Sequence, residues 1–293
     1  MPNAVPADAM ATIQALPIWE RAIDIAPLGG GMTNRNFVVT HAGRRFVVRL
    51  GGDIAVHGVM RFNEHAASTA AGLAGISPAV RHSGPGVLVI DHIDGRTLTP
   101  CDVRADLARC VELVRRAHGA VSARLRGPVL AFNVFHIVRD YMQRLRDDGS
   151  AHAQRLGSLA AAAAVLEGAA GADAPVFAHN DLLAGNLIDD GARLWLIDWE
   201  YAGFNTPLFD LGGLASNNGL SEAEETAMLS AYYQAPPDAG LLRRYRAVAC
   251  ASLLRETLWS MVSEGHSRLD FDYAGYTADN LARFERAWSE FGG

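Results

Sequence analysis

Short runs of strand-forming residues crowd the first third of this chain, and helical periodicity fills most of the remainder. This grouping restricts the fold more than any other feature. The chain reads as α+β, with a small β-rich lobe ahead of a larger, mainly helical one. The runs Asn36 to Thr40 and Arg45 to Leu50 are rich in Val and Phe, and a His-Ala-Gly turn joins them into a β-hairpin. GVLVIDHI, from Gly86 to Ile93, is a further strand, and Asp94-Gly95 marks the turn after it. A leading helix is expected over about Ile13 to Ala26 and a second over about Arg61 to Ala74. The boundary between lobes is placed at that turn, giving residues 1–94 and 95–293.

In the second part, Leu107, Cys110, Val111 and Val114 recur at helical spacing within a helix expected from about Thr99 to Gly119. A long helical stretch follows from about Asn133 to Gly168, interrupted near Asp148-Gly149-Ser150. VFAHNDLLAGNLIDDGARLWLIDW then reads as strand, loop, strand, Asp-Asp-Gly turn, strand. After Pro207 the chain is helical, with a break at Pro236-Pro237. A cleft between two such lobes is a favoured place for a ligand.

Composition removes several functional classes. A hydrophobic share of 49% and a charged share of 20% describe a folded protein rather than a disordered one. A net charge of -6 argues against a nucleic-acid partner. The three cysteines, Cys101, Cys110 and Cys250, have neither zinc-ligand nor redox spacing, which fits a reducing cytoplasm. MPNAVPADAMATIQ has no basic start and no unbroken apolar core, so it does not read as a signal peptide. No apolar run approaches the ~20 residues needed to span a bilayer, and no membrane insertion is expected. There is no lysine, and all 26 basic residues are arginine. Schiff-base chemistry and a Walker A loop are thereby excluded, and any cationic contact to a nucleotide is expected to come from Arg.

The densest chemistry lies in HNDLLAGNLIDDGARLWLIDWEY, from His179 to Tyr201. Phosphoryl transfer needs a base beside the acceptor hydroxyl and oxygen ligands for Mg²⁺. Asp181 suits the base, and Asn186, five residues on, offers an amide oxygen to the metal. Asp198 follows a strand and suits the same ion, and Glu200 is placed to reach it as well. His179 fits a bracing role better than a metal ligand, because no other histidine cluster accompanies it. Asp210 is read either as a helix cap or as a brace beneath the catalytic loop.

Upstream, GGGMTNRN brings Gly30 and Gly31 to a turn whose backbone N–H groups can approach phosphates, with Thr33 and Asn34 as side-chain donors. Alternation along the second hairpin strand turns Arg49 toward the cleft, where it can grip phosphates while Glu64 on the next helix holds it. Near the C-terminus, Glu256, Trp259, Asp270, Phe271, Asp272, Tyr273 and Tyr276 join Tyr201 in an aromatic and acidic group. Such a group suits an ammonium ligand through cation–π contacts, and it suits helix packing equally.

These residues resemble the choline/ethanolamine kinase family, within the broader aminoglycoside-phosphotransferase-like group. HNDLLAGNLIDDGARLWLIDWEYAGFNTPLFDLGGLASNN carries the resemblance most specifically, supported by GGGMTNRNFVV, FVVRL and LLRETLWSMVSEGHSRLDFDY. The resemblance implies a protein-kinase-like fold that uses ATP and Mg²⁺. Asp181 is then the base, Asn186 and Asp198 the metal ligands, and Glu200 a support for metal or substrate. Arg49 holds the phosphates, and the segment from Asp91 to Ile93 binds adenine through backbone groups. Tyr201, Trp259 and Tyr276 line the acceptor pocket. The implied reaction phosphorylates the hydroxyl of a cationic amino alcohol, with choline the leading candidate. An aminoglycoside phosphotransferase and a non-catalytic nucleotide-binding pseudokinase are the alternatives. One departure stands out: eukaryotic members carry two tryptophans three apart in that pocket, and here Glu256 occupies the first position, leaving Trp259 alone.

Overall fold

The computed structural model describes residues 5–29, 34–267 and 271–292. Gly30, Gly31, Thr33 and Asp270 lie outside the described residues. The first lobe opens with α1 (Ala7–Gln14), followed by the strands β1 (Asp24–Leu28), β2 (Arg35–His41) and β3 (Arg44–Leu50). Helix α2 (Arg61–Leu73) precedes β4 (Val80–Gly84) and β5 (Val87–Asp91). These strands form one antiparallel sheet in the order β1-β2-β3-β5-β4.

The expected hairpin forms as β2 and β3, with Ala42 and Gly43 both at positive φ (49° and 76°) in its two-residue turn. That turn twists in the sense the strands require. On one face of β3, Phe46, Val48 and Leu50 pack with Phe37, Val39, Val87, Val89 and with Ala9 and Ile13 of α1. Period-2 alternation therefore puts Arg49 on the opposite face, toward α2.

The leading helix differs from expectation: it ends at Gln14, and Asp24–Leu28 is an edge strand paired with β2. Pro17 bars a continuous helix, and Pro27 suits an edge where its missing N–H is not needed. Helix α2 and strand β5 fall within about two residues of the expected segments, which is the ordinary uncertainty of element ends.

The second lobe begins with the short β6 (Arg96–Thr97), α3 (Pro100–Ala105) and α4 (Leu107–Ala120). The single helix expected here is broken at Asp106, whose φ and ψ of -128° and 48° are not helical. Helices α5 (Val134–Asp147) and α6 (Leu156–Ala170) flank the expected interruption. Next come β7 (Val176–Ala178), β8 (Leu187–Asp189), β9 (Leu194–Leu196) and β10 (Gly203–Asn205), and then α7 (Pro207–Asn218) and α8 (Glu222–Tyr233). The chain closes with α9 (Ala239–His266) and α10 (Tyr273–Phe291). The 28-residue α9 runs through this lobe and packs against α5, α6, α7 and α10, which explains its many buried positions. Together the two lobes form the α+β, kinase-like arrangement expected from the sequence. Among the described residues no helix is long and apolar enough to cross a membrane.

Candidate active site

Two antiparallel pairings build the platform. β7 pairs with β10 and delivers the chain to His179, while β8 and β9 form a hairpin across the Asp-Asp-Gly turn. At the open end of that hairpin the Ile197 N–H donates to the Asn186 carbonyl at 2.9 Å. Asp198 is therefore the next residue after the one that pairs with Asn186. A two-stranded register, not proximity in sequence, is what brings Asn186 and Asp198 into one place.

The loop that carries Asp181 is clamped from below. Asp210 of α7 is 1% exposed and accepts the backbone N–H of His179 at 2.8 Å and of Asn180 at 2.6 Å. His118 Nε2 bonds the same carboxylate at 2.8 Å, and Tyr232 bonds the other ring nitrogen at 2.7 Å. The brace reading of Asp210 is thus the geometry observed.

His179 uses both ring nitrogens: Nε2–H donates to the Ile197 carbonyl at 2.9 Å, and Nδ1 accepts the Asp181 N–H at 3.3 Å. Burial pushes its pKa down, so the ring is neutral and has no lone pair left for a metal. Asn180 and Asp198 hold φ of 66° and 70°, a left-handed conformation that costs about 1–3 kcal/mol and persists only where the surroundings impose it. For Asn180 those surroundings include a bond from its amide to the Tyr201 carbonyl at 3.0 Å and one from Asn205 at 2.8 Å.

Asn186 donates through Nδ2 to the Asp181 carbonyl at 2.9 Å and to Asp181 Oδ2 at 3.3 Å. Its amide oxygen is thereby turned away from Asp181. The half-buried Asp181 carboxyl is pushed up to about 8, first by desolvation and then by the negative charge of Asp198, with Arg255 opposing the shift. A cation arriving at this site favours the ionised form of the carboxyl.

Arg49 is held between the lobes. Its Nη2 reaches Asp198 Oδ1 at 2.8 Å and Glu200 Oε2 at 3.8 Å, and its Nη1 reaches Glu64 Oε1 at 3.2 Å. Burial alone would lower the guanidinium pKa, but the charges of Asp198, Glu64 and Glu200 outweigh it and raise the value. Arg61 duplicates the link, with Nη1 at 2.5 Å from Glu64 Oε2 and 3.3 Å from Glu200 Oε2. Asn34 adds a bond to Glu200 at 3.1 Å, an approach that Gly51 permits because a Cβ there would lie 2.4 Å from Asn34 Oδ1. Among the described residues, buried Arg49 Nε and Arg61 Nη2 have no hydrogen-bond partner, so the cleft presents donors suited to phosphate oxygens. At the end of β5, the Asp91 carboxylate is taken by Arg81 at 2.8 and 2.5 Å.

On the acceptor side, Trp259 Nε1–H donates to the buried Tyr201 hydroxyl at 3.0 Å, and the Tyr276 hydroxyl donates to Glu256 Oε1 at 2.7 Å. The Trp259 ring lies 4.9 Å from that of His57 and 6.3 Å from that of Tyr276. Burial pushes His57 down to about 3, so that neighbour is uncharged. Nearby, a cavity of 630 Å³ opens between the tip of the sheet, at Asn34, Gly51 and Val87, and α9, at Trp259 and Ser263.

The structure therefore brings Asn34, Arg49, Glu64, Asp198 and Glu200 into one buried network, and joins Asp181 to Asn186 beside it. It turns Glu200 toward Arg61, Arg49 and Asn34. Sequence reasoning missed Arg61 and Arg255. The signal for Arg61 was its place three residues before Glu64 at the start of α2, on the same helix face.

A half-buried carboxyl of raised pKa, an amide bonded to it, and two buried arginines beside Asp198 and Glu200 lie together in the cleft. The chain belongs to the phosphotransferase enzyme family, whose model matches residues 24–248, and it is a small-molecule phosphotransferase with an alcohol acceptor. It is similar to Protein LicA of Haemophilus influenzae, at 26% identity over 84% of this chain and 75% of that protein. A choline/ethanolamine kinase family protein from Mesorhizobium loti has the same fold, with a TM-score of 0.75 and 27% identity over 97% of this chain and 95% of that one. An ethanolamine kinase of Drosophila melanogaster is 32% identical over 36% of this chain and 24% of its own length.

Proposed function

We propose that this enzyme transfers the γ-phosphoryl group of ATP to the hydroxyl of a small amino alcohol of the choline and ethanolamine type. The observation that carries this reading is the tie between Asn186 and Asp181, because it sets a metal-ligand oxygen and a candidate base on one rigid loop. Arg49 and Arg61 would receive the phosphates, with Glu64 fixing both guanidinium groups. The donor set fits Mg²⁺: Asn186 Oδ1 and the Asp198 carboxylate are hard oxygens at the strand ends. When bound, the ion would neutralise charge building on the transferred group. Asp181 accepts the proton of the attacking hydroxyl. Catalysis by such a site is mainly positioning and charge stabilisation.

The ammonium end of the acceptor would face Glu256, Trp259 and Tyr276. Choline is the acceptor favoured by the sequence, and ethanolamine adds N–H donors that a carboxylate such as Glu256 can accept. A coupled assay of ADP production with choline, ethanolamine and kanamycin tests the reading. Turnover is expected with an amino alcohol and is expected to fall about 10²–10⁴-fold in Asp181→Asn. Near-normal turnover in that variant removes Asp181 from its role.

A further inference from the structure

The acceptor side holds a cation of its own. Arg255 on α9 is 5% exposed, and its guanidinium carbon lies 4.7 Å from the centroid of the Tyr201 ring and 5.6 Å from that of Phe132. This is the aromatic face that a quaternary ammonium would otherwise use. Arg255 Nη1 donates to Glu256 Oε2 at 2.9 Å. The guanidinium also interacts with the Tyr141 hydroxyl, yet among the described residues neither Nε nor Nη2 makes a hydrogen bond of regular geometry. Arg255 and Glu256 line a small void of 20 Å³ together with Asp181 and, from α7, Asp210 and Asn217, so the pair sits beside the candidate base. A buried guanidinium keeps its charge, and its unmet N–H groups carry a desolvation cost until an oxygen meets them.

The charge count sharpens the point. Before any acceptor binds, Arg255 is already paired with Glu256 and also faces the charge of Asp181. An acceptor bearing only an ammonium group draws Glu256 away and strands a buried arginine, which is costly. An acceptor bearing both an ammonium and a carboxylate satisfies each half of the pair: the ammonium meets Glu256 and the carboxylate meets the fork of Arg255. We infer that the acceptor is a zwitterionic alcohol, a hydroxyl-bearing amino acid in chemical class, and that Arg255 is the residue that selects its carboxylate. This rests on reading the site as a kinase for amine-bearing alcohols and names the acceptor class within that reading.

The experiment compares matched alcohols on the wild-type enzyme with Mg²⁺ and ATP: L-serine against ethanolamine, L-homoserine against 3-aminopropan-1-ol, and choline alone. A site built around a polar group rejects analogues that lack it, so kcat/KM should favour the carboxylate-bearing member of a pair by about tenfold or more. In Arg255→Gln the ratio within the pair should collapse toward one, with the melting transition recorded to show that the variant folds. The wild-type ratio stands as a test even where the variant does not fold. A wild-type preference for ethanolamine, 3-aminopropan-1-ol or choline overturns the inference and leaves the kinase reading intact. A preference for the carboxylate that survives in folded Arg255→Gln overturns the assignment to Arg255. ADP production with none of these alcohols sinks the amino-alcohol reading itself, and this inference with it.

Discussion

Replacing Asp210 with Ala tests whether the catalytic loop is held by one buried carboxylate. The carboxylate accepts two backbone N–H groups, from His179 and Asn180, and a third bond from His118. A buried donor left without an acceptor costs about 1–3 kcal/mol, so two orphaned backbone groups predict a loss of roughly 2–6 kcal/mol before His118 is counted. That is a large share of the about 5–15 kcal/mol by which ordinary proteins are stable. Asn180, at φ 66°, also loses part of what holds it in a strained conformation, so Asp181 should drift and kcat should fall alongside stability. Urea unfolding followed by tryptophan fluorescence reads the first effect, and ADP production the second. A variant within about 0.5 kcal/mol of wild type, the range of ordinary surface substitutions, would refute the bracing argument.

The same residue gives a pH test with a defined sign. Burial alone would raise the Asp210 pKa, but the hydrogen bond from His118 and the charges around it bring it below the ordinary value of 3.8. A folded-state value below the unfolded one contributes stability that is present above the unfolded value and lost as pH falls through the folded one. The stability gap between wild type and Asp210→Asn should therefore narrow on acidification below about pH 4. A gap that widens there contradicts the sign.

Other expectations rest on the interlobe network. Arg49→Met removes the cation shared by Glu64, Asp198 and Glu200, and kcat/KM for ATP should fall on the order of 10²–10³-fold; unchanged kinetics contradict its phosphate role. Arg61→Met takes from buried Glu64 and Glu200 one of their two guanidinium partners, with an expected loss of about 1.5–3 kcal/mol in urea unfolding, and a neutral result means the pair is not coupled as drawn. Removing divalent ions with EDTA should abolish turnover and Mg²⁺ should restore it; turnover that persists in EDTA argues against Asn186 and Asp198 as ligands.

The parts of this molecule that were legible in the sequence are those whose structure is local. Alternation over Phe46, Val47, Val48 and Arg49 already fixed which side chains face the core, and the Ala42-Gly43 turn fixed the pairing partner. The spacing of Asp181, Asn186 and Asp198 was visible because one loop and one hairpin hold them all. Strands β1, β4 and β6 were missed because they are two to five residues long and exist by pairing with a neighbour rather than by their own pattern. The break at Asp106 was hidden for a similar reason: helical periodicity continues through it. Arg255 was overlooked because its neighbours in sequence, Glu256 and Trp259, look like an ammonium pocket. Only the fold shows that a guanidinium is stacked on Tyr201.

Arginine at position 49, in a chain without lysine, also decides how this enzyme responds to covalent reagents. Acylating nucleotide probes that mark kinases through a side-chain amine would find none in this cleft or elsewhere on the protein. Dicarbonyl compounds, which condense with guanidinium groups, are the matching chemistry, and Arg49, buried among Glu64, Asp198 and Glu200, should react with them more slowly than the exposed arginines.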